Sequence, residues 1–284
     1  MFVPRKIVEK KLKRFLADDI GQGDVTAAAV IPANLTVRAE VIAKEEGIAA
    51  GIEEATFLAE YLGLTIKAKV SDGAKIKNKQ VLMQISGDAQ TILSVERTML
   101  NLLSRMSGIA TKTRTLTEKL EMAHMKAKIA ATRKSAPGLL YFDKKAVVIG
   151  GGDPHRLHLD DMVLIKDNHL AIVGNVEEVV KSAKAKASFS KKIEVEVNTI
   201  EDSLKAAKAG ADIIMLDNFS PKQAKDASEA LEEAGFGSVL LEVSGGITGE
   251  NLLDYAKAKV DIISMGELTH SVKALDISLE IVKS

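Results

Sequence analysis

The 284-residue chain has no cysteine and no tryptophan. The missing cysteine excludes disulfides, zinc–thiolate sites, iron–sulfur ligation and thiol nucleophiles together, so any metal must be held by oxygen or imidazole. Net charge is missing too: 39 Lys and Arg balance 39 Asp and Glu. The cations are scattered among acids and form no basic run for a polyanionic polymer, so nucleic acid is not an expected partner. No window approaches the roughly 18 uninterrupted apolar residues of a membrane span, and MFVPRKIVEKKLKRFL at the N-terminus reads as a short charged helix without the apolar core of a leader. The expectation is a soluble, cytoplasmic protein with no membrane partner. With only 5 prolines and no long polar tract, the whole chain is expected to be ordered.

What is present is a βα alternation. From about Lys126 onward, short β-branched runs alternate with helical stretches rich in lysine and alanine. The runs are KIAA (128–131), MVLI (162–165), IEVEV (193–197), DIIML (212–216), SVLLEV (238–243) and DIISM (261–265). Short apolar runs separated by amphipathic helices predict parallel strands covered by helices, an α/β class. The first part reads differently: strands at 36–45, 64–70 and 80–85, a helix over 52–62 and a turn at Ser71–Gly73. A long helix is predicted from near Ser94, with Arg97, Asn101 and Arg105 on one face at four-residue spacing. The boundary is placed near residue 110. This gives domains 1–110 and 111–269, with a C-terminal helix over 270–284 packing on the first.

Polar residues follow each of the six runs. KIAA leads to Thr132, Arg133 and Lys134, and MVLI to Lys166, Asp167, Asn168 and His169. IEVEV holds Glu196, DIIML gives way to Asp217 and Asn218, SVLLEV to Ser244, Gly245 and Gly246, and DIISM to Gly266. In a parallel βα barrel the carboxyl ends of the strands build one mouth, so these groups are expected to converge. The glycines fit a phosphate cradle, where backbone N–H groups approach an anion and a following helix adds its dipole. The loop Gly150–Arg156 adds His155 and Arg156, making a strongly cationic mouth that wants a multiply charged anion. Glu196 and Asp217 could pair with those cations, or hold Mg²⁺ and offset positive charge developing on a sugar carbon. His155, His158, Asp160 and Asp161 are a weaker candidate for a zinc site. Two other readings remain open: an aldolase using Lys166 as a Schiff-base nucleophile, and a non-catalytic phosphosugar-binding protein.

The motifs IGQGDVT (20–26), VERTMLNLLSRMSGIAT (95–111), ATRKSAPGLLYFDKKAVVIGGGDPHR (131–156), VLIKDNH (163–169), EVEVNT (194–199), MLDNF (215–219), VSGGIT (243–248) and MGELTHSVKALD (265–276) together resemble the quinolinate phosphoribosyltransferase family over nearly the whole chain. The resemblance implies an N-terminal α/β sandwich domain, an incomplete parallel βα barrel and a homodimer with shared active sites. It implies transfer of phosphoribosyl from phosphoribosyl pyrophosphate to quinolinate with decarboxylation, giving nicotinate mononucleotide for NAD biosynthesis, with Mg²⁺ as cofactor. Carried over by motif, Arg97, Arg133, His155, Arg156 and Lys166 are the quinolinate-binding residues, Arg97 reaching in from the partner subunit. Lys134, Asn168 and His169 face the pyrophosphate, with Lys134 counted as catalytic. Glu196 and Asp217 are the catalytic acids and metal ligands, and Ser244, Gly245, Gly246 and Gly266 match the 5′-phosphate site. Two positions depart from the pattern: Ala131 replaces an Asp common before Thr-Arg-Lys, and Asp153-Pro154 replaces a pair ending in Asn. They keep open a related transferase acting on another aromatic acid.

Overall fold

The computed structural model describes residues 3–282. Helix α1 (Arg5–Ile20) buries Val8, Leu12 and Leu16, which recur every four residues on one face. α2 (Val25–Val30) starts at Asp24, whose Oδ1 accepts the Thr26 and Ala27 N–H groups. β1 (Thr36–Ala43), β2 (Gly47–Ile48), α3 (Ile52–Tyr61), β3 (Thr65–Ala68), β4 (Lys75–Ile76) and β5 (Val81–Asp88) follow, then the 34-residue α4 (Ala89–Met122). Beyond it come β6 (Lys128–Ala130), α5 (Leu140–Ile149), β7 (Val163–Ile165), α6 (Asp167–Val173), α7 (Val176–Lys186), β8 (Ile193–Val197), α8 (Ile200–Ala209) and β9 (Ile213–Asp217). The chain continues through α9 (Pro221–Glu233), β10 (Leu240–Ser244), α10 (Leu252–Ala256), β11 (Ile262–Ser264) and α11 (Glu267–His270) to β12 (Ile277–Val282).

Two compact units result. The first holds residues 3–114, 141–151 and 272–282, and the second holds 115–140 and 152–271. The break on α4 falls after Arg114, and the first unit also takes most of α5.

The first unit is built on an antiparallel sheet in the order β12-β1-β5-β3. The C-terminal helix expected over 270–284 is not there: only Glu267–His270 is helical, and Ile277–Val282 is a strand paired to β1, with Ala43 opposite Ile277 and Arg38 opposite Val282. The reason is the two-residue period of Ile277, Leu279 and Ile281, which suits one face of a sheet and no face of a helix. Residues 283–284 of that expectation lie outside the described residues, as do residues 1–2 of the N-terminal helix. α4 begins at Ala89 rather than near Ser94, because Asp88 Oδ2 accepts both the N–H and the hydroxyl of Thr91 and fixes the first turn. Ile92, Val95, Met99, Leu103 and Met106 then line its buried face.

The second unit is a six-stranded parallel sheet in the order β6-β11-β10-β9-β8-β7. All six predicted runs form its strands. Consecutive β6 and β7 end up at opposite ends of the order, so the barrel is incomplete and opens between them. The free edge of β6 is occupied by a bridge to Asp153, whose backbone N–H donates to Ile129 O at 2.8 Å and whose carbonyl accepts from Ala131 N at 3.0 Å. That bridge delivers the residues after Asp153 to the strand ends.

Candidate active site

Residues paired across a parallel ladder share a face. Register therefore places Asp217, Ser244, Ser264 and Ala130, the last residues of β9, β10, β11 and β6, in one row at the carboxyl end of the sheet. One pleat below, Glu196, Met215, Glu242 and Ile262 form the next row. The period of two puts Glu194 on the same face as Glu196.

Charged side chains organise this face. Lys166 Nζ donates to Glu196 Oε2 at 3.1 Å. Lys166 is half exposed and ion-paired, which is not the desolvated apolar pocket that activates a Schiff-base lysine. Asp217 Oδ2 accepts Asn218 Nδ2 at 2.7 Å. Arg156 is buried, and burial followed by the neighbouring Arg133 lowers its guanidinium pKa. His155 Nε2 lies 3.3 Å from Glu194 Oε2 and 3.2 Å from Glu242 Oε2, both carboxylates being fully buried. The angles do not make these hydrogen bonds, so the contact is ionic. Burial opposes charge on the ring, yet the two carboxylates prevail and raise His155 to about 10. Glu194 is itself pushed up, mainly by burial, with His155 opposing.

The glycine turn after β10 is shaped by its neighbours. Gly245 and Gly246 both have positive φ, and a Cβ on Gly245 would sit 2.3 Å from Asn218 Oδ1. The Asn218 N–H donates to Ser244 O at 2.9 Å, tying the ends of β9 and β10 together. The helix expected to add its dipole is α10, only five residues long, so the cradle rests on the turn itself. Gly266 has ordinary φ and is small for a different reason: a Cβ there would meet the His270 ring at 2.9 Å and the Lys134 stem at 3.6 Å. The Lys134 carbonyl in turn accepts the Thr269 hydroxyl at 2.8 Å.

Lys134, His155, Arg156, Lys166, Glu196, Asp217, Ser244, Gly245, Gly246 and Gly266 thus all lie on or just after the sheet strands or in the loop bridged to β6, in the local groups Lys166–Glu196, Asp217–Ser244–Gly245 and Lys134–Gly266, and Arg133 stands beside Arg156. Asn168 and His169 are exposed on α6, where His169 Nδ1 accepts the Lys166 backbone N–H at 2.9 Å and caps the helix. Arg97 belongs to the first unit and is largely exposed, 3.9 Å from Glu96. The zinc candidate divides: His158, Asp160 and Asp161 form an exposed group, whereas His155 turns to Glu194 and Glu242. Asp161 Oδ2 is engaged by the N–H groups of Leu157 and His158, as an ordinary loop cap. Sequence reasoning missed Glu194, Glu242 and His270. Strand parity with Glu196 and Ser244 would have found the two acids, and four-residue spacing from Gly266 the histidine.

Residues 24–107 match the quinolinate phosphoribosyl transferase N-terminal domain, and residues 109–280 match its C-terminal domain. The protein named "Probable nicotinate-nucleotide pyrophosphorylase (carboxylating)" in Methanothermobacter thermautotrophicus is 45% identical over 271 residues, covering 95% of this chain and 97% of that protein. The nicotinate-nucleotide pyrophosphorylase (carboxylating) of Mycobacterium leprae is 38% identical over 275 residues, covering 95% of each. The solved structure of the nicotinate-nucleotide pyrophosphorylase from Francisella tularensis superposes with a TM-score of 0.90 at 36% identity, covering 99% of this chain and 98% of that one. This chain belongs to the quinolinate phosphoribosyl transferase family.

Proposed function

We propose that the protein transfers the phosphoribosyl group of phosphoribosyl pyrophosphate to the ring nitrogen of quinolinate, with loss of pyrophosphate and of the adjacent carboxylate as CO₂. The observation that carries this reading is the gathering of His155, Arg156 and Lys166 with Glu196, Asp217 and the Gly245–Gly246 turn at the carboxyl ends of one sheet. A dicarboxylate needs several cations, a sugar carbon gaining positive charge needs nearby acids, and a 5′-phosphate needs a backbone cradle. His155, Arg156, Arg133 and Lys166 hold the two carboxylates of quinolinate against the sugar. Glu196 and Asp217 offset the oxocarbenium-like charge as pyrophosphate departs toward Lys134. The ring nitrogen then bonds to the anomeric carbon and becomes cationic. Breaking the neighbouring carbon–carboxylate bond leaves an electron pair beside that charge, and a proton replaces the CO₂. Asp153, one of the two departures from the family pattern, accepts the His155 N–H through Oδ1 at 2.6 Å, so it serves the same quinolinate-binding histidine.

Glu196 and Asp217 suit Mg²⁺ by donor chemistry, since that ion takes one or two carboxylates together with substrate phosphates and water. When bound it would neutralise charge on the departing pyrophosphate. Arg97, exposed on the first unit, acts in this reading in the site of a second subunit of a homodimer. The test is to incubate the protein with Mg²⁺, phosphoribosyl pyrophosphate and carboxyl-labelled quinolinate. Labelled CO₂ should appear only when phosphoribosyl pyrophosphate is present, and its absence from the complete mixture would sink the reading.

A further inference from the structure

His155 is held in an unusual way. Its φ is +51°, a left-handed conformation that is strained for an ordinary residue and persists only where surroundings impose it. Asp153 Oδ1 fixes the backbone by accepting the His155 N–H, and the ring reaches carboxylates on β8 and β10, which lie on either side of β9 in the sheet. There a single atom, Nε2, faces carboxylates from β8 and β10, neither of which has a hydrogen-bond partner among the described residues.

This arrangement determines the state of the other nitrogen. Two carboxylates 3.2 and 3.3 Å from Nε2 would repel a lone pair there, so Nε2 carries a proton. A neutral ring would then present a lone pair at Nδ1, which repels a substrate carboxylate, whereas a doubly protonated ring presents an N–H. We propose that Glu194 and Glu242 are positioning residues that keep His155 doubly protonated at the mouth, so that its second N–H is available to a carboxylate of the substrate. This rests on the functional reading above, in which His155 faces quinolinate. Charge balance supports it: Glu194 and Glu242 offset His155 and buried Arg156, and a neutral His155 would leave one buried carboxylate charge without compensation. The charged groups facing His155 are Glu194 from β8, Glu242 from β10, and Asp153 and Arg156 from its own segment, with Arg133 beside Arg156. Only the two glutamates bear on the ring nitrogen. The raised pKa of His155, about 10, agrees with the geometry.

The experiment reads the ring and the reaction separately. In the full-length protein with isotope-labelled histidine, the His155 signal is identified by its loss in His155→Asn and followed by NMR from pH 5 to 10. The expected wild-type signal stays in the charged form past pH 8. In Glu194→Gln/Glu242→Gln its midpoint falls by more than one unit, and Glu194→Asp alone retains most of the wild-type behaviour. A wild-type midpoint near the ordinary 6.5 overturns the proposal even if the double variant fails to fold, and so does an unchanged midpoint in a folded double variant. In the kinetic arm, KM for quinolinate in the double variant should climb roughly tenfold per pH unit above the new midpoint, as the charged fraction falls, while kcat moves little. A flat KM in a variant whose His155 has become neutral also overturns it. A wild-type protein that titrates as described but never turns over quinolinate would instead sink the functional reading and leave the role of the glutamates standing.

Discussion

Lys166 Nζ and Glu196 Oε2 lie 3.1 Å apart at the ends of neighbouring strands, so the cation proposed for a substrate carboxylate is already paired with the acid proposed for the sugar. In the proposed reaction an anion entering the mouth competes for Lys166 and frees Glu196 to face the ribose. Glu196→Gln should therefore lower kcat by about 10²- to 10³-fold, the usual effect of removing one electrostatic stabiliser of a transition state. KM for quinolinate should change by much less, because the charge that Glu196 offsets exists only in the transition state. Steady-state kinetics on both substrates checks this, and near-normal kcat would remove Glu196 from the chemistry.

Gly245 offers a test of the phosphate cradle. Its φ of +96° is strained for any L side chain, and an added Cβ would come within 2.3 Å of Asn218 Oδ1. Relieving that contact moves the turn or Asn218 by more than the cradle can absorb, and such strain is worth on the order of 1 to 3 kcal/mol. Gly245→Ala should raise KM for phosphoribosyl pyrophosphate roughly 10- to 100-fold, with a smaller effect on quinolinate binding. Isothermal titration with each substrate separates the two, and equal weakening of both would point to general damage instead.

Arg105 and Asp143 form a structural pair in the first unit. The guanidinium donates through Nε and Nη2 to the two oxygens of a fully buried carboxylate, at 2.7 and 2.8 Å. Burial raises the Asp143 pKa, and Arg105 first and Lys144 second oppose that. Arg105→Ala would strip the buried carboxylate of its hydrogen-bonded cation, and breaking a buried pair in this way is worth up to about 3 to 5 kcal/mol. Asp143→Asn, which removes the charge, should cost less. Denaturant unfolding of both variants gives the order, and an equal or reversed order would show that an unpaired buried charge is not what makes the loss of Arg105 costly.

The parts of this molecule readable from sequence were those where a short motif has one physical meaning. Six apolar runs between amphipathic helices can only be buried parallel strands, and polar groups after each run converge wherever such strands share a sheet. ISLEIV carried a two-residue period, but six residues are few to set a strand against a helix, and its pairing with Arg38–Ala43 settles it. The onset of α4 depended on one Asp88 cap. The partners of His155 were legible only in part. Strand parity puts Glu194 and Glu242 on the same face as Glu196 and Ser244, but that they meet His155 depends on a left-handed residue some 40 and 90 positions away, which no local pattern encodes.

Arg97 is expected to act in the neighbouring subunit. It is exposed on the first unit, and its weak contact with Glu96 does not restrain it. Mixing inactive Arg97→Ala and Glu196→Ala proteins under conditions that exchange subunits should restore roughly a quarter of the sites, since each mixed dimer holds one site free of lesions. If Arg97 served its own chain, every site would carry a lesion. Exchange demonstrated by mass spectrometry without recovered activity would end the shared-site reading.

The His155 contact also predicts how stability depends on pH. Its folded pKa, about 10, lies above the ordinary 6.5, so its stabilisation is complete below about 6.5 and is lost as pH rises through about 10. Within that window the native ring holds a proton that the unfolded chain has released, and unfolding free energy falls by about 1.4 kcal/mol per pH unit. Glu194, pushed up by burial, adds a slope of the same sign that begins near the ordinary 4.5 of a glutamate, so burial of the acid takes back part of what the histidine contributes. Lys145 is also raised, by Glu54, Glu53 and Asp72 against its own burial, but its stabilisation is lost only above the ordinary lysine range. Between pH 7 and 9.5, the His155 contribution should therefore fall by roughly 3 kcal/mol in wild type, and His155→Gln should show a correspondingly shallower decline. Urea unfolding at closely spaced pH values measures both slopes. Parallel curves for the two proteins would mean that the ring is already neutral at pH 7, contrary to the ionic contacts with Glu194 and Glu242.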